Sequence, residues 1–406
     1  MLFKPKMMKL MFTLFACLSL CGCWSRKELT DLAIVSATGV DRKNNQWELT
    51  YQLVTPAATA SGTSGGNASP GPPISVLSIQ GDTLRKAFAN NELENTRQLH
   101  IGNNRVFVIG DAAAKYGLNS LIDTYLRNPQ ARETVSMFVT KRNPRIVVSQ
   151  LMYLEKNTGE GIHKLIEKET KNTSILPKVN MYDFASQTAG SSKCAIIPEL
   201  LISGKGEPGS TKALETTTKA SKLKLGGLAI LKKGKLIGWL NQNEALGIAF
   251  IRDHVNKAVV SFEFDGGKEE NKAKSTFEVS DSSTRLKLRR KDGRIIVTAT
   301  IKAKGMITDT EFKLDAIDPG MVRELEQNIG AELLGIIGEG WHAVHGMRAD
   351  VVGFADMFRR QNPREWQQKK EDWAEEFAKI EFEPSIEVTI ERVGLINQSY
   401  QKIVEE

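Results

Sequence analysis

Cysteine, histidine and long apolar runs are what this chain has least of. Of its 406 residues only four are Cys and five are His. Cys17, Cys21 and Cys23 crowd the N-terminus, and Cys194 stands alone in everything that follows. A disulfide framework is therefore excluded after residue 23, and cohesion must come from buried apolar surface. Cys194 lies in Ser192-Lys193-Cys194-Ala195-Ile196-Ile197-Pro198, with no partner Cys and no His and acid paired with it in sequence. It is read as a buried small hydrophobe rather than a reactive thiol. A crossing helix needs about 20 apolar residues, and no such run follows residue 23. Charge of one sign is missing as a block too. The 55 Lys and Arg are interspersed with 48 acids for a net charge of +7, so no basic stripe marks a nucleic-acid surface. No repeat of solenoid period occurs.

Catalytic constellations are absent as well. His342 and His345 sit three apart on a helical stretch, but Ala343 and Val344 stand where a zinc-binding His-Glu-x-x-His helix would carry its Glu. Gly204 to Thr211 superficially resembles a phosphate loop. The motif needs Lys directly after its second Gly, and this chain has Ser210 there, with Pro208 stiffening the loop. No Gly-x-Ser-x-Gly elbow occurs, and Glu269-Glu270 and Glu375-Glu376 lie in polar runs that read as solvated faces. These absences predict a protein with no catalytic residues, no metal and no cofactor.

The N-terminus is where the sequence does speak. Lys4, Lys6 and Lys9 precede the nearly continuous apolar run Leu10 to Leu20, which ends in Leu20-Cys21-Gly22-Cys23. A basic start, a short apolar stretch and a small-residue cleavage site make a secretory signal. The Leu-x-Gly-Cys ending is the pattern of a bacterial lipoprotein. Cys23 would receive diacylglycerol on its sulfur, residues 1–22 would be removed, and residues 23–406 would be tethered outside the cytoplasm by acyl chains. The run is too short for an uncleaved anchor spanning ~30 Å of hydrocarbon.

Periodicity predicts a mixed α+β body. Leu32 to Gly39 and Trp47 to Val54 read as a hairpin about Asp41 to Asn45. Residues 56–73 carry no large apolar side chain and read as a flexible loop. Strands then alternate with helices to about residue 200: strands at 74–79, 105–110 and 135–140, helices at 83–93, 112–127 (capped by Asp111) and 144–156 (after Asn143-Pro144). Gly204 to Lys224 reads as a linker. Beyond it come a hairpin at 228–240, a short helix at 244–251 capped by Asn243, and strands at 258–264, 275–279, 285–289 and 294–302. From Pro319 the period becomes helical, with Met321, Leu325, Ile329, Leu333, Ile336 and Val344 on one stripe. Helices ending before Pro363 and spanning 366–379, then a strand at 385–394, complete the chain. At about 150 residues per domain the length suggests two or three mixed α/β domains, with antiparallel hairpins after residue 227. A domain at 23–203 would be followed by a linker at 204–225, a middle domain at 226–290 and a C-terminal domain at 291–406 holding a long helix at 319–345.

Several of these stretches together resemble the Ger(x)C family, the lipoprotein C subunits of spore germinant receptors. Gly22-Cys23-Trp24 with Glu28, then Ala33-Ile34-Val35 and Gly39-Val40-Asp41, is similar to the family's opening. Gly227 to Leu231 with Leu236 to Leu240, including Trp239, and Glu244 is similar to the hairpin opening its C-terminal region. Asp350-Val351-Val352-Gly353-Phe354 with Pro363 and Trp366 resembles its Asp-x-x-Gly-Phe-Gly…Pro…Trp signature, with Ala355 in place of the second Gly. The resemblance implies lipidation at Cys23, three α/β domains in a row and no catalytic residues. It implies a complex with integral membrane A and B subunits, the latter permease-like, on the outer face of the spore inner membrane. Trp24, Glu28, Trp239, Glu244, Asp350, Gly353, Phe354, Pro363 and Trp366 are the candidate interaction or structural residues, with packing the favoured role for Trp24 and Trp239. A substrate-binding lipoprotein of an importer shares the lipoprotein signal and is the alternative. Two doubly wound lobes would mark it, and the antiparallel hairpins after residue 227 fit that poorly.

Overall fold

The computed structural model describes residues 28–55, 72–152, 154–155, 157–204, 221–264, 273–310 and 319–393. The signal segment, Cys23, Trp24, nearly all of the loop at 56–73, the phosphate-loop-like stretch after Gly204 and Glu269-Glu270 lie outside these residues.

The hairpin of β1 (Leu32–Lys43) and β2 (Gln46–Val54) turns on Asn44 and Asn45, both at positive φ (49° and 62°). Such turns match the twist of the flanking strands, and Asn tolerates the left-handed backbone they need. Next come β3 (Ile74–Gly81), α1 (Leu84–Glu94), β4 (Gln98–His100), β5 (Val106–Gly110), α2 (Asp111–Tyr116), α3 (Asn119–Leu126), β6 (Ser136–Thr140), α4 (Pro144–Val148), α5 (Thr158–Asn172) and α6 (Met181–Ala189). β7 (Cys194–Gly204), β8 (Ser221–Lys232) and β9 (Lys235–Leu240) finish the first sheet, whose order is β3-β2-β1-β5-β6-β7-β8-β9 with β4 beside β1. Its centre, β1-β5-β6-β7, is parallel, and both flanks are antiparallel. Every residue of β5 and β6 is buried, as a parallel centre covered on both faces requires.

The rest of the chain is α7 (Gln242–Ile251), β10 (Ala258–Phe264), β11 (Ala273–Lys291), β12 (Arg294–Thr310), α8 (Pro319–Gly346), α9 (Phe354–Gln361), α10 (Pro363–Lys369), α11 (Trp373–Phe377) and β13 (Glu381–Val393). The second sheet runs β10-β11-β12-β13, antiparallel except for the parallel β12–β13 pair. Alternation along the first sheet feeds two cores. Phe107, Ile109, Met137, Val139, Ile197 and Leu231 face one core with Leu84 and Leu121. Val106, Val108, Phe138, Ile196 and Ile230 face another that continues through α7 into α8 and the second sheet. α7 is buried all along from Ala245 to Ile251. It can lie against α8 because both helices are bare at the crossing. A Cβ on Gly247 would stand 2.2 Å from the Ile336 carbonyl oxygen, and one on Gly340 2.6 Å from that of Glu244.

The α+β class and the long helix stand as the periodicity predicts, but several elements differ. The helix expected at 112–127 is two, broken at Gly117, whose φ of +125° no helix accommodates. Asp111 is its first residue rather than its cap, and the Asp41 carboxylate accepts the Ala113 N–H instead. The helix after Asn143 stops at Val148, and the separate α5 and α6 have no counterpart in the sequence expectation. Asn241, not Asn243, caps α7. The strands expected at 275–279 and 285–289 are one, β11, and the helix expected at 366–379 is the pair α10 and α11. The linker expected at 204–225 has strand at both ends: Gly204 closes β7 and Ser221 opens β8, and the two pair along most of their length. The boundary expected at 290/291 falls within the β11–β12 hairpin. Turn-rich composition marks a break in the chain, whereas strand pairing across the break is a long-range event.

Candidate functional site

The Asp350-to-Trp366 signature folds into one buried hub at the end of α8. Asp350 is 2% exposed. Its Oδ1 accepts the N–H groups of Gly353 (2.9 Å) and Phe354 (3.0 Å), and its Oδ2 accepts the Ala355 N–H (2.6 Å) and the Trp373 Nε1–H (2.9 Å). The chain can double back onto its own carboxylate because Gly353 adopts φ +90°, a left-handed conformation that suits glycine. Burial pushes the Asp350 pKa up, and the four donors pull it back toward the charged form. Phe354, fully buried, lies 5.7 Å from Trp341 and 6.2 Å from Phe377 between ring centroids. Pro363 opens α10, and Trp366 meets Trp373 edge-on at 5.3 Å. Ala355, at the position of the signature's second Gly, is buried inside α9 and costs the helix nothing. Cys194 packs beside this hub. Burial first, and then the Asp350 charge, push its thiol up to about 11.

Two other candidates serve local structure. Glu244 completes a capping box on α7. It donates its N–H to Asn241 Oδ1 at 2.9 Å and accepts the Asn241 N–H at 2.8 Å. Trp239 is half-buried on β9, with the Lys141 ammonium 4.4 Å from its ring centroid. The same ammonium lies 2.9 Å from Oε1 of Glu199, which is 5% exposed and also accepts the Gly227 N–H. Glu28 is exposed at the entrance to β1. The structure therefore joins Asp350, Gly353, Phe354, Pro363 and Trp366, and keeps Trp239, Glu244 and Glu28 apart from them.

His342 is exposed, and His345 stacks on Trp341 at 4.8 Å. Among the described residues no three His, Cys, Asp or Glu gather to hold a metal ion. Ser136 Oγ lies 3.0 Å from His163 Nδ1, whose Nε2 is 3.5 Å from Glu167. This resembles a nucleophile–base–acid row, but Ser136 is 1% exposed, so no substrate atom reaches its hydroxyl. One feature escapes sequence reasoning altogether: an apolar cavity of about 70 Å³ beneath α1 and α3. Its lining comes from β1, β2, β5 and several helices and turns, so no contiguous motif marks it.

A family model described as spore germination protein N-terminal domain matches residues 25–202, and one described as spore germination B3/GerAC like, C-terminal, matches residues 226–394. The chain belongs to the Ger(x)C family. Spore germination protein KC of Bacillus subtilis (strain 168) is 27% identical over 382 residues, covering 93% of this chain and 93% of its own length. Spore germination protein B3 of the same organism is 21% identical over 394 residues, covering 95% and 97%. The crystal structure of the GerBC protein superposes with a TM-score of 0.51 at 18% identity, covering 87% of this chain and 97% of that one, which shows a common fold. The break between the two Ger(x)C segments falls at the β7–β8 connection, so both segments contribute strands to one sheet.

Proposed function

We propose that this Ger(x)C chain is the lipid-anchored subunit of a spore germinant receptor, needed for nutrient-triggered germination. It acts by contact with integral membrane A and B subunits at the outer face of the spore inner membrane, without catalysis. The observation that carries this reading is the position of the family match, which begins at residue 25, two residues after the lipoprotein cysteine of Leu20-Cys21-Gly22-Cys23. Each acyl methylene buried in a bilayer contributes about 0.8 kcal/mol, and stable attachment takes more than one chain. Two or three chains on Cys23 meet that need. Among the described residues no helix is long and apolar enough to cross a membrane, and the proposed attachment rests on the lipid.

Deleting the gene should abolish the response to one nutrient class and leave germination by non-nutrient triggers intact. Normal germination of the deletion strain with every nutrient would overturn the receptor role. Cys23→Ala should shift the protein from the membrane to the soluble fraction and remove fatty-acid labelling. Full membrane retention of that variant would show that the lipid is not the anchor.

A further inference from the structure

We propose that the cavity beneath α1 and α3 binds a small amphipathic carboxylate. The site goes beyond a role in subunit contact and stands on the cavity itself. Leu49, Leu84, Phe88, Ile101, Phe107 and Leu121 supply an apolar wall around about 70 Å³ that opens to solvent at one side. A water molecule takes about 10–15 Å³ of such space, so there is room for roughly five to seven non-hydrogen atoms. Water gains little from a wall of this kind, whereas a short hydrocarbon body gains by filling it.

Two polar groups set the chemistry of the occupant. Tyr51 lines the cavity and is 3% exposed, yet no described residue forms a hydrogen bond with its hydroxyl. Burial alone pushes that phenol's pKa upward, with no hydrogen bond to offset it. That hydroxyl opens into the cavity with no acceptor among the described residues, so its proton goes to whatever oxygen or nitrogen enters the cavity. Two of the neighbouring polar groups, Tyr125 and Asn104, are already committed. Tyr125 donates its hydroxyl proton to the Arg132 carbonyl at 3.2 Å. The Asn104 amide donates to Thr38 Oγ1 at 3.0 Å, and in the opposite amide orientation it would reach the carbonyls of Ser36 and Val106. The second group is Arg85, which lies on the exposed side of α1, lines the same cavity and has no ion-pair partner among the described residues. A ligand with an apolar body, an oxygen acceptor for Tyr51 and a negative charge for Arg85 is a small carboxylate.

Butyrate, 1-butanol and n-butylamine are probes of this size, carrying negative, no and positive charge. They would be titrated into the full chain with 13C-labelled leucine methyls, followed by NMR. A ligand of about six heavy atoms binds in the millimolar range. Butyrate should shift the Leu49, Leu84 and Leu121 methyls saturably in that range, butanol more weakly and butylamine least. Arg85→Gln, at an exposed position that leaves the fold intact, should weaken butyrate about fivefold to tenfold and leave butanol unchanged. Tyr51→Phe should weaken both. Absence of a saturable shift at these methyls, butylamine binding as tightly as butyrate, or unchanged butyrate affinity in Arg85→Gln would each overturn the proposal.

Discussion

Asp350 accepts four hydrogen bonds with one buried carboxylate, and every donor would be left unpaired by its removal. Unpaired buried donors cost about 1–3 kcal/mol each, partly relieved by relaxation. Asp350→Ala should therefore lower stability by about 3–5 kcal/mol, a loss in the exceptional range for one substitution. The measurement is a urea transition whose midpoint falls at unchanged slope. A loss under about 1 kcal/mol would show that the hub does not depend on the carboxylate. Cys194 makes a second prediction at this scale. Burial pushes its thiol up to about 11 in the fold, from an ordinary value of 9.0 that an exposed thiol in the unfolded chain would keep. Between those values the folded protein keeps a proton that the unfolded chain releases, so stability falls as pH rises from about 9 to about 11. Cys194→Ala should flatten that part of the curve. In the native protein the thiol should also ignore a disulfide reagent at neutral pH and react only in denaturant.

At the scale of elements, two glycines of the paired helices should respond oppositely to the same change. Gly247→Ala puts a methyl 2.2 Å from the Ile336 carbonyl oxygen, so α7 and α8 must separate. Overpacking of this kind costs about 1–3 kcal/mol, occasionally more. Gly335→Ala lies on the exposed side of α8 with nothing within 4 Å, and should stabilise by about 0.5–1 kcal/mol through helix propensity. Thermal melting of the two variants decides the matter. Equal shifts would mean that the helices do not touch at Gly247.

For the whole molecule, the β7–β8 pairing matters most, because it joins the two Ger(x)C segments within one sheet. The core containing Val106, Phe138 and Ile196 also runs on into α7, α8 and the second sheet. A protease site inserted between residues 204 and 221, and cleaved in the folded protein, should give two fragments that co-elute in buffer and part only in denaturant. Separation in buffer would mean that each segment keeps a core of its own.

Local chemistry was legible in the sequence alone: the Asn44-Asn45 turn and the apolar stripe of α8 rest on neighbouring residues. The resemblance in Asp350-to-Trp366 was equally legible as a pattern, but not its meaning. Only the fold brings Trp373 Nε1 and three backbone N–H groups onto one carboxylate, and only the fold shows these residues buried. The same limit explains the rest. Pairing β7 with β8, running β1, β5 and β6 parallel and enclosing Tyr51 in a cavity each join residues far apart in the chain. Propensity and periodicity act over a turn or a strand, whereas strand order and cavities follow from which apolar faces meet.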